Sequence, residues 1–293
     1  MKSPWIAALR SVALTVPDLA TAETFYTEVW QLVIAARGDA VVYLRGNGSD
    51  HHLLALHVAP GTPTIRQLTL RARSAAALDL IAQATVAAGG VVERATDPAD
   101  PADPAGGRSL LIRDGDARRT ADQPAPPDQP QRLAHAVLNC HAIASSQAFF
   151  ERALGFVLAD RAKTMAFMNC DADHHSLALG DTDNDALNHI AFLMPTLDAV
   201  MRGGGRLRDA GLAPQWGPGR HGPGDNAFNY FVDPFGIVIE YTAEVEQIDD
   251  HYRPGSPTDW TWPPGRNDQW YIGTAPTDAL KQVQRRVLFA AAP

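Results

Sequence analysis

The chain has 293 residues, of which 25 are Lys or Arg and 33 are Asp or Glu, so its formal net charge is −8. Hydrophobic residues make up 45% and charged residues 20% of the chain, which is typical of a folded globular protein and excludes a disordered or fibrous one. The scattered basic residues argue against a nucleic-acid-binding protein, and no stretch of about 18 apolar residues indicates a membrane-spanning helix.

The first half of the sequence predicts strands separated by two amphipathic helices. An alternating strand pattern at 9–16 precedes a helix predicted over 19–31, and a second helix is predicted over 74–88. An Asp-Pro-rich loop is expected at 96–107, because proline donates no backbone hydrogen bond and biases the preceding residue away from helix. A final strand is expected near 110–119.

A proline-rich connector at 121–131 lies near the middle of the chain, with four prolines in eleven residues. Such a segment is stiff and extended, and a domain boundary falls naturally there. We therefore predict a first domain over 1–120, a second domain over 132–245 and a C-terminal arm over 246–293.

The second half repeats the pattern of the first. Residues 133–150 correspond to 9–26, and the sequence HHSLAL at 174–179 corresponds to HHLLAL at 51–56. Self-similarity of this kind indicates a duplicated structural unit. Each half then reads as two βαβββ modules.

Helices are also predicted over 143–154 and 196–211, and the arm, rich in Trp and Pro, is predicted to end in a helix over about 277–289. Runs of strands with single helices between them predict an α+β fold, with helices on one face of a curved sheet.

Three residues of the second half are candidate metal ligands, namely His135, His189 and Glu240. Each lies in a segment that reads as a strand, and they are spaced about one module apart. Because side chains alternate along a strand, successive modules can each present one ligand to a common surface. Two imidazoles and one carboxylate form the facial triad of non-haem Fe(II) oxygenases.

The alternatives to ligation differ among the three residues. Glu240 lies among apolar neighbours, where a carboxylate is costly unless it binds a metal or has a partner such as arginine. For His135 and His189 the alternative is a hydrogen-bonded core histidine. A histidine that the fold itself required would be expected in both halves. The first half instead has Ser11 and Gln67 at the matching positions, which favours metal binding as the role of His135 and His189. We infer one metal-binding half and one degenerate half.

Four motifs in order resemble those of type I extradiol ring-cleavage dioxygenases of the vicinal oxygen chelate superfamily, over residues 9 to about 290. They are LAHAVL at 133–138, HSLAL at 175–179 followed by His189, GPGRHG at 217–222, and YFVDPFGIVIE at 230–240. The resemblance implies two vicinal-oxygen-chelate domains, each a curved and partly open barrel, of which the second binds metal.

The resemblance also implies roles for individual residues. His135, His189 and Glu240 would bind Fe(II), or less often Mn(II). His175 would be the active-site acid–base, and Tyr230 would hydrogen-bond the substrate oxygens.

Further active-site contributions are expected around these residues. His221 would cover the site from a glycine-rich loop, although a mobile surface loop is the alternative for His221 and Arg220. His174 is expected on the opposite face from His175, because strand side chains alternate. Several aromatic residues can line an apolar pocket or pack in the core and arm: Trp216, Phe228, Phe231 and those at 260–270.

The implied reaction is Fe(II)-dependent cleavage of a catechol-type ring by O₂ to a ring-opened semialdehyde or oxo-dienoate, in the catabolism of aromatic compounds. The resemblance also implies a homo-oligomer. Three alternatives stay open. A 2-oxoacid-type oxygenase related to hydroxyphenylpyruvate dioxygenase would not need His175 and Tyr230 in these roles. A glyoxalase-like isomerase normally needs a fourth, carboxylate ligand. A metal-free small-molecule-binding protein would not need the triad.

The cysteine content and the N-terminal segment bear on location. Cys140 and Cys170 are too few for a disulfide framework, and both are expected to be buried. No apolar core of a secretory signal is apparent in the first residues. We therefore expect a reducing, cytoplasmic environment, without a membrane or nucleic-acid partner.

Overall fold

The computed structural model describes residues 3–92, 94–96, 109–111, 128–273 and 275–290. In this part of the chain the helices are α1 (Leu19–Thr24), α2 (Ala75–Ala87), α3 (Ile143–Leu154), α4 (Leu197–Asp209) and α5 (Asp278–Val283). Helix α1 continues as a π-helical turn, Phe25–Val29. The first four helices confirm the predicted positions.

The strands of the first half are β1 (Ile6–Val16), β2 (Val33–Gly38), β3 (Val41–Arg45), β4 (Leu54–Val58), β5 (Thr64–Ala72), β6 (Arg94–Thr96) and β7 (Ser109–Leu111). Those of the second half are β8 (Arg132–Cys140), β9 (Val157–Arg161), β10 (Met165–Asn169), β11 (Leu177–Asp181), β12 (Ala186–Leu193), β13 (Trp216–Arg220), β14 (Ala227–Val232) and β15 (Val238–Ala243). The last strand, β16, spans Val287–Phe289.

The sheet topology confirms the duplication. In the first half the strand order is β2-β3-β4-β1-β5, and the second half has the corresponding order β9-β10-β11-β8-β12. Strand β1 pairs parallel with β4 and antiparallel with β5, and β8 pairs in the same way with β11 and β12. Among the described residues, β6 and β7 form a separate two-stranded sheet. The observed architecture is the α+β fold with a curved sheet that the sequence predicts.

Strand β12 lies between β8 and β15, and this arrangement positions the candidate ligands. Ala191 on β12 lies opposite His135 on one side and opposite Glu240 on the other. His189 precedes Ala191 by two residues. Because cross-strand partners and residues two apart share a face, all three candidate ligands lie on one face of the sheet.

The end of the chain departs from the predicted helix over 277–289. Helix α5 ends at Val283, and β16 then pairs antiparallel with β12 and parallel with β5. Leu288 lies opposite both Ala186 and Thr64, so this short strand joins the sheets of the two halves. The free edges of β5 and β12 offer backbone partners that the local sequence does not reveal, and pairing with them replaces the last helical turns.

Two further expectations concern loops. The glycine-rich segment at 217–222 is not wholly a loop, because Trp216–Arg220 forms β13 and pairs with β14. The Asp-Pro-rich segment at 97–107, the remainder of the predicted strand at 112–119, and the connector at 121–127 lie outside the described residues. The predicted domain boundaries therefore stay a prediction.

The hydrophobic core joins the two halves through Trp30. Its fully buried ring stacks on Tyr241 with 3.8 Å between ring centroids, and it meets Phe192 and Phe231 edge-on. The Tyr241 hydroxyl donates a hydrogen bond of 2.8 Å to the Trp30 carbonyl. A residue that follows α1 thus packs against the strands that carry the candidate ligands.

In the part of the chain described, no helix has both the length and the apolar character required to cross a membrane.

Two glycines of α4 provide a matched test of the packing of this helix against Tyr241. A Cβ at Gly203 would lie 2.7 Å from Cε2 of Tyr241, whereas one at Gly205 would meet nothing within 4 Å. We expect Gly205→Ala to raise the free energy of unfolding by about 0.5–1 kcal/mol through helix propensity. Gly203→Ala should lower it by about 1–3 kcal/mol, because the Tyr241 ring must shift. Urea denaturation followed by tryptophan fluorescence measures both, and equal effects would contradict the proposed packing.

Candidate metal centre

The three candidate ligands converge at one point of the sheet. One ligand atom from each of His135, His189 and Glu240 lies within 4.8 Å of the other two. Oε2 of Glu240 lies 3.3 Å from Nε2 of His135 and 3.2 Å from Nε2 of His189. All three side chains are buried. The geometry is that of a closely spaced set with two imidazole nitrogens and one carboxylate oxygen.

A hydrogen bond orients His189 toward this point. Its Nδ1 lies 2.8 Å from Oδ1 of Asn188, which can only accept, so Nδ1 carries the proton and donates. Asn188 in turn donates to Oδ1 of Asn139 at 2.9 Å. In the neutral ring, Nε2 then presents a lone pair toward the Glu240 oxygen. Two lone pairs at this separation repel each other unless a proton or a metal ion lies between them.

Buried atoms without hydrogen-bond partners also indicate that a positive group belongs between these side chains. Among the described residues, Oε2 of Glu240 and Nδ1 of His135 have no hydrogen-bond partner. Burial alone would raise the pKa of Glu240, but the adjacent imidazoles, His135 foremost, outweigh burial and hold that pKa well below its usual range. The carboxylate is therefore ionised, and a buried negative charge needs a positive partner. The donor set fits a divalent transition-metal ion.

A cavity of about 380 Å³ opens beside the three candidate ligands. His175, His221 and Tyr230 line it together with His135 and His189. Most of its remaining wall is apolar, and this part includes Val137, Met165, Phe167, Trp216, Pro223 and Pro276. The cavity thus combines an apolar wall with polar groups concentrated near one point, as in typical small-molecule sites.

The structure places His175 and Tyr230 next to the candidate ligands. The His175 ring centroid lies 4.4 Å from that of His135, and the Tyr230 hydroxyl lies 3.3 Å from Nε2 of His189. Burial lowers the pKa of His175 well below its ordinary value, so the ring is neutral. Burial, reinforced by the negative charge of Glu240, raises the pKa of Tyr230 well above its ordinary value, so the phenol keeps its proton.

His221 lies in the turn after β13 and reaches the same cavity. Its ring stacks on Phe228 with 4.0 Å between centroids, and its Nε2 lies 3.2 Å from the Tyr230 hydroxyl. Burial lowers the pKa of His221 to about 4. Arg220, by contrast, pairs with Glu244 and lies over the Trp270 ring. The alternative of a mobile surface residue therefore does not describe His221.

The structure distinguishes between the two interpretations, cavity lining and packing, that the sequence leaves open for the aromatic residues. Trp216 lines the cavity, whereas Phe228 lies behind His221, and Phe231 packs in the core 6.3 Å from Trp30. The described arm contributes Pro276, Lys281 and Gln284 to the wall rather than the tryptophans at 260–270. Periodicity cannot distinguish an aromatic residue that faces a cavity from one that faces the core.

Other residues around the site carry no motif of their own. Asn188 and Asn139 orient His189, and Asp160 is fully buried beside His174. The one available signal in the sequence is a polar side chain within an apolar strand, as at Asn139 and Asp160. His174 does not line the cavity, in agreement with its expected direction.

The first half has the same backbone arrangement without the candidate ligands. Ser11 lies on β1 and Gln67 on β5, at the strand positions that correspond to His135 and His189. Burial lowers the pKa of His52 to about 3 and that of His57 to about 4, so both rings are neutral. Among the described residues, the metal-compatible group is confined to the second half.

Comparison with known proteins gives consistent matches. The family model described as "Glyoxalase/Bleomycin resistance protein/Dioxygenase superfamily" matches residues 132–241. The chain is 33% identical to metapyrocatechase 2 of Cupriavidus necator over 139 residues, which are 46% of this chain and 41% of that protein. The chain thus matches less than half the length of this curated relative.

Similarity to solved structures covers nearly the whole chain. A Mn(II)-bound glyoxalase from Novosphingobium aromaticivorans is 31% identical, with a TM-score of 0.83 and 93% of each chain covered. A variant of homoprotocatechuate 2,3-dioxygenase from B. fuscum, in complex with HPCA, has a TM-score of 0.84 at 18% identity, covering 99% of this chain and 84% of that one. At 18% identity, the similarity to the homoprotocatechuate 2,3-dioxygenase variant shows a shared fold only.

Replacement of the Glu240 carboxylate tests the metal centre. We expect Glu240→Gln to lower the affinity for Fe(II) at least tenfold, because a neutral amide replaces the only anionic ligand of the three. Glu244→Gln, which changes an exposed carboxylate just beyond the same strand, is the control and should bind like the unmodified protein. Metal content after anaerobic reconstitution and gel filtration measures both. Equal metal retention by the two variants would contradict the assignment.

Proposed function

The chain belongs to the Glyoxalase/Bleomycin resistance protein/Dioxygenase superfamily, and on that premise we propose that it is a metal-dependent extradiol ring-cleaving dioxygenase. Its substrate would be a catechol-type aromatic diol, which O₂ converts to a ring-opened semialdehyde or oxo-dienoate in the catabolism of aromatic compounds. The name of the relative metapyrocatechase 2 agrees with this activity. The homo-oligomeric state and cytoplasmic location expected from the sequence stay predictions.

One observation carries the proposal. An ionised, buried carboxylate, Glu240, lies among the ring nitrogens of His135 and His189 at the wall of a cavity that His175 and Tyr230 also line. The three candidate ligands lie on one face of the sheet, and two of them, His135 and His189, also line the cavity. A substrate can therefore approach the metal and the two polar groups together.

We propose Fe(II) as the metal, held by His135, His189 and Glu240. When bound, it would supply Lewis-acid polarisation of the two diol oxygens and electron exchange with O₂. A neutral His175 can accept a proton from a diol hydroxyl and return it to an oxygen of the product. The Tyr230 hydroxyl, which stays protonated, can donate a hydrogen bond to an oxygen of the substrate.

The remaining wall determines which molecules fit. Phe167 and Trp216 provide flat apolar surfaces, and Val137 and Met165 add aliphatic surface to the wall. Such a wall favours an aromatic ring and excludes water, which strengthens the electrostatic interactions inside the cavity. These properties support an aromatic diol rather than an aliphatic polyol as substrate.

A second candidate is a glyoxalase-type isomerase, because the Novosphingobium relative of that name covers 93% of the chain. Such an enzyme needs no O₂. The metal-compatible group in the described part of the chain contains one carboxylate, Glu240, and lacks the fourth, carboxylate ligand expected of a glyoxalase. The 2-oxoacid-type oxygenase shares the same ligands but assigns no role to His175 and Tyr230.

Oxygen consumption tests the proposed reaction directly. Anaerobically Fe(II)-reconstituted protein should consume one O₂ per catechol, with a ring-fission chromophore growing in the near-visible range. Stoichiometric iron binding without O₂ uptake on any catechol would favour the 2-oxoacid-type oxygenase or the isomerase. Turnover of a 2-oxoacid would then indicate the former, and turnover of a hemithioacetal the latter. Failure to bind iron would leave the metal-free binding protein.

The proposed role of His175 gives a second test. We expect His175→Gln to lower kcat by roughly 10²–10⁴-fold, the range of a lost acid–base group, with unchanged metal content. His141→Gln is the control, because His141 is an exposed histidine paired with Asp185 away from the cavity. Steady-state O₂ uptake measures both variants. Unchanged turnover by His175→Gln would instead favour the 2-oxoacid-type reaction.

A further inference from the structure

A buried series of three hydrogen-bonded side chains leads from β9 to the wall of the cavity. Nε2 of His174 lies 3.0 Å from Oδ2 of Asp160, and Nδ1 of His174 lies 3.0 Å from Nδ1 of His175. Asp160 and His174 are fully buried, and of the three only His175 lines the cavity. The series connects a carboxylate behind the cavity to a ring at its surface.

The contacts determine where the protons of both rings lie. A carboxylate only accepts, so Nε2 of His174 carries a proton and donates it to Asp160. With one proton per ring, Nδ1 of His174 then has a lone pair and accepts. The Nδ1 of His175 must therefore be the protonated, donating atom. Its other nitrogen, Nε2, is left with a lone pair for a molecule in the cavity.

We propose that Asp160 and His174 are positioning residues that hold His175 with Nδ1 protonated and Nε2 available as the basic nitrogen toward the substrate. The structural part of this proposal states only which nitrogen of His174 and of His175 carries the proton. Its catalytic consequence rests on the dioxygenase function proposed above. Fixing the tautomer matters because a ring with the wrong nitrogen protonated cannot accept a substrate proton at that nitrogen.

The C-terminal arm fixes the orientation of the Asp160 carboxylate. The backbone N–H of Gly255 donates to Oδ1 at 2.5 Å, and the Tyr252 hydroxyl lies 3.2 Å from both carboxylate oxygens. The backbone N–H of His174 donates to the carbonyl of Glu246 at 2.8 Å. Because Gly255 requires an acceptor at the Oδ1 position, the Oδ2 position is the one directed to His174.

The first half of the chain provides an internal comparison. It retains the adjacent histidines, with 3.0 Å between Nδ1 of His51 and Nδ1 of His52. Asp160 lies opposite Phe167 in the β9–β10 pair, and the corresponding position opposite Tyr43 in the β2–β3 pair is Ala36. The first half thus has an alanine at the position where the second half has this carboxylate. This difference is what a role tied to the catalytic half predicts.

Asp160→Asn should reverse both tautomers. Gly255 keeps the amide oxygen at the Oδ1 position, so the amide nitrogen takes the Oδ2 position and donates to Nε2 of His174. That ring must then donate from Nδ1, and the proton of His175 moves to Nε2. Tyr252→Phe is the matched control, because it removes one partner of Asp160 while keeping the carboxylate charge.

Long-range ¹H–¹⁵N correlation spectra of the full chain, with diamagnetic Zn²⁺ in place of Fe(II), report the protonated nitrogen of each histidine. We expect Nε2–H for His174 and Nδ1–H for His175 in the unmodified protein and in Tyr252→Phe, and the reverse in Asp160→Asn. An Nε2-protonated His175 in the unmodified protein would overturn the proposal without any variant. So would an unchanged tautomer in Asp160→Asn.

The kinetic test uses the Fe(II)-loaded protein with a catechol that supports O₂ uptake. Asp160→Asn should lower kcat roughly 10²-fold, as expected when a base is held in the wrong form, while KM changes less than about threefold and iron content is unchanged. His51→Asn, in the first half, should leave kcat unchanged. A parallel loss of iron and of kcat would indicate a purely structural role and contradict the proposal. Absence of O₂ uptake by the unmodified protein would refute the dioxygenase function. The NMR measurement of the His174 and His175 tautomers tests the positioning role of Asp160 and His174 independently of that function.

Discussion

The ionised carboxylate of Glu240, buried in the middle of a sheet, is the constraint on which the rest of the site depends. A buried charge is costly unless a counter-charge is close, and the nearest groups are the ring nitrogens of His135 and His189. Their positions follow from β12, which pairs with both neighbouring ligand strands. A shift of one residue in either pairing would turn a ligand to the opposite face, so the strand register and the metal centre are specified together.

Duplication explains how one fold supplies both the framework and the site. Both halves keep the same strand order, so the geometry that brings three side chains together exists twice. Only the second half has chemistry-bearing residues at these positions, whereas the first has Ser11, Gln67 and Ala36 where the second has His135, His189 and Asp160. The first half contributes instead through packing, because Trp30 lies against the strands that carry the ligands. The fold therefore does not require metal-ligating residues at these positions.

Much of this arrangement could be predicted from the sequence, and the remainder depends on contacts that a sequence does not display. The repeat and the helix positions were visible because hydrophobic periodicity is a local property. The end of the chain was predicted wrongly, since β16 forms by pairing with edges that belong to β5 and β12. The sequence does not identify Asp160 as part of the site for a similar reason. Its partners His174, Tyr252 and Gly255 come from distant segments, and a single buried aspartate has no spacing pattern.

The arm connects metal chemistry to substrate choice by two separate routes. Pro276, Lys281 and Gln284 form part of the cavity wall, whereas Tyr252 and Gly255 act behind it on Asp160. Among the described residues, no hydrogen bond or ion pair joins either group to the three candidate ligands, which lie on β8, β12 and β15. Changes in the first group can therefore alter which ring enters the cavity without moving the metal, while changes in the second affect the orientation of His175. Because the described arm lies outside the two corresponding sets of strands, we infer that the duplicated framework provides the proposed metal site, while the arm shapes part of the cavity that would receive the substrate.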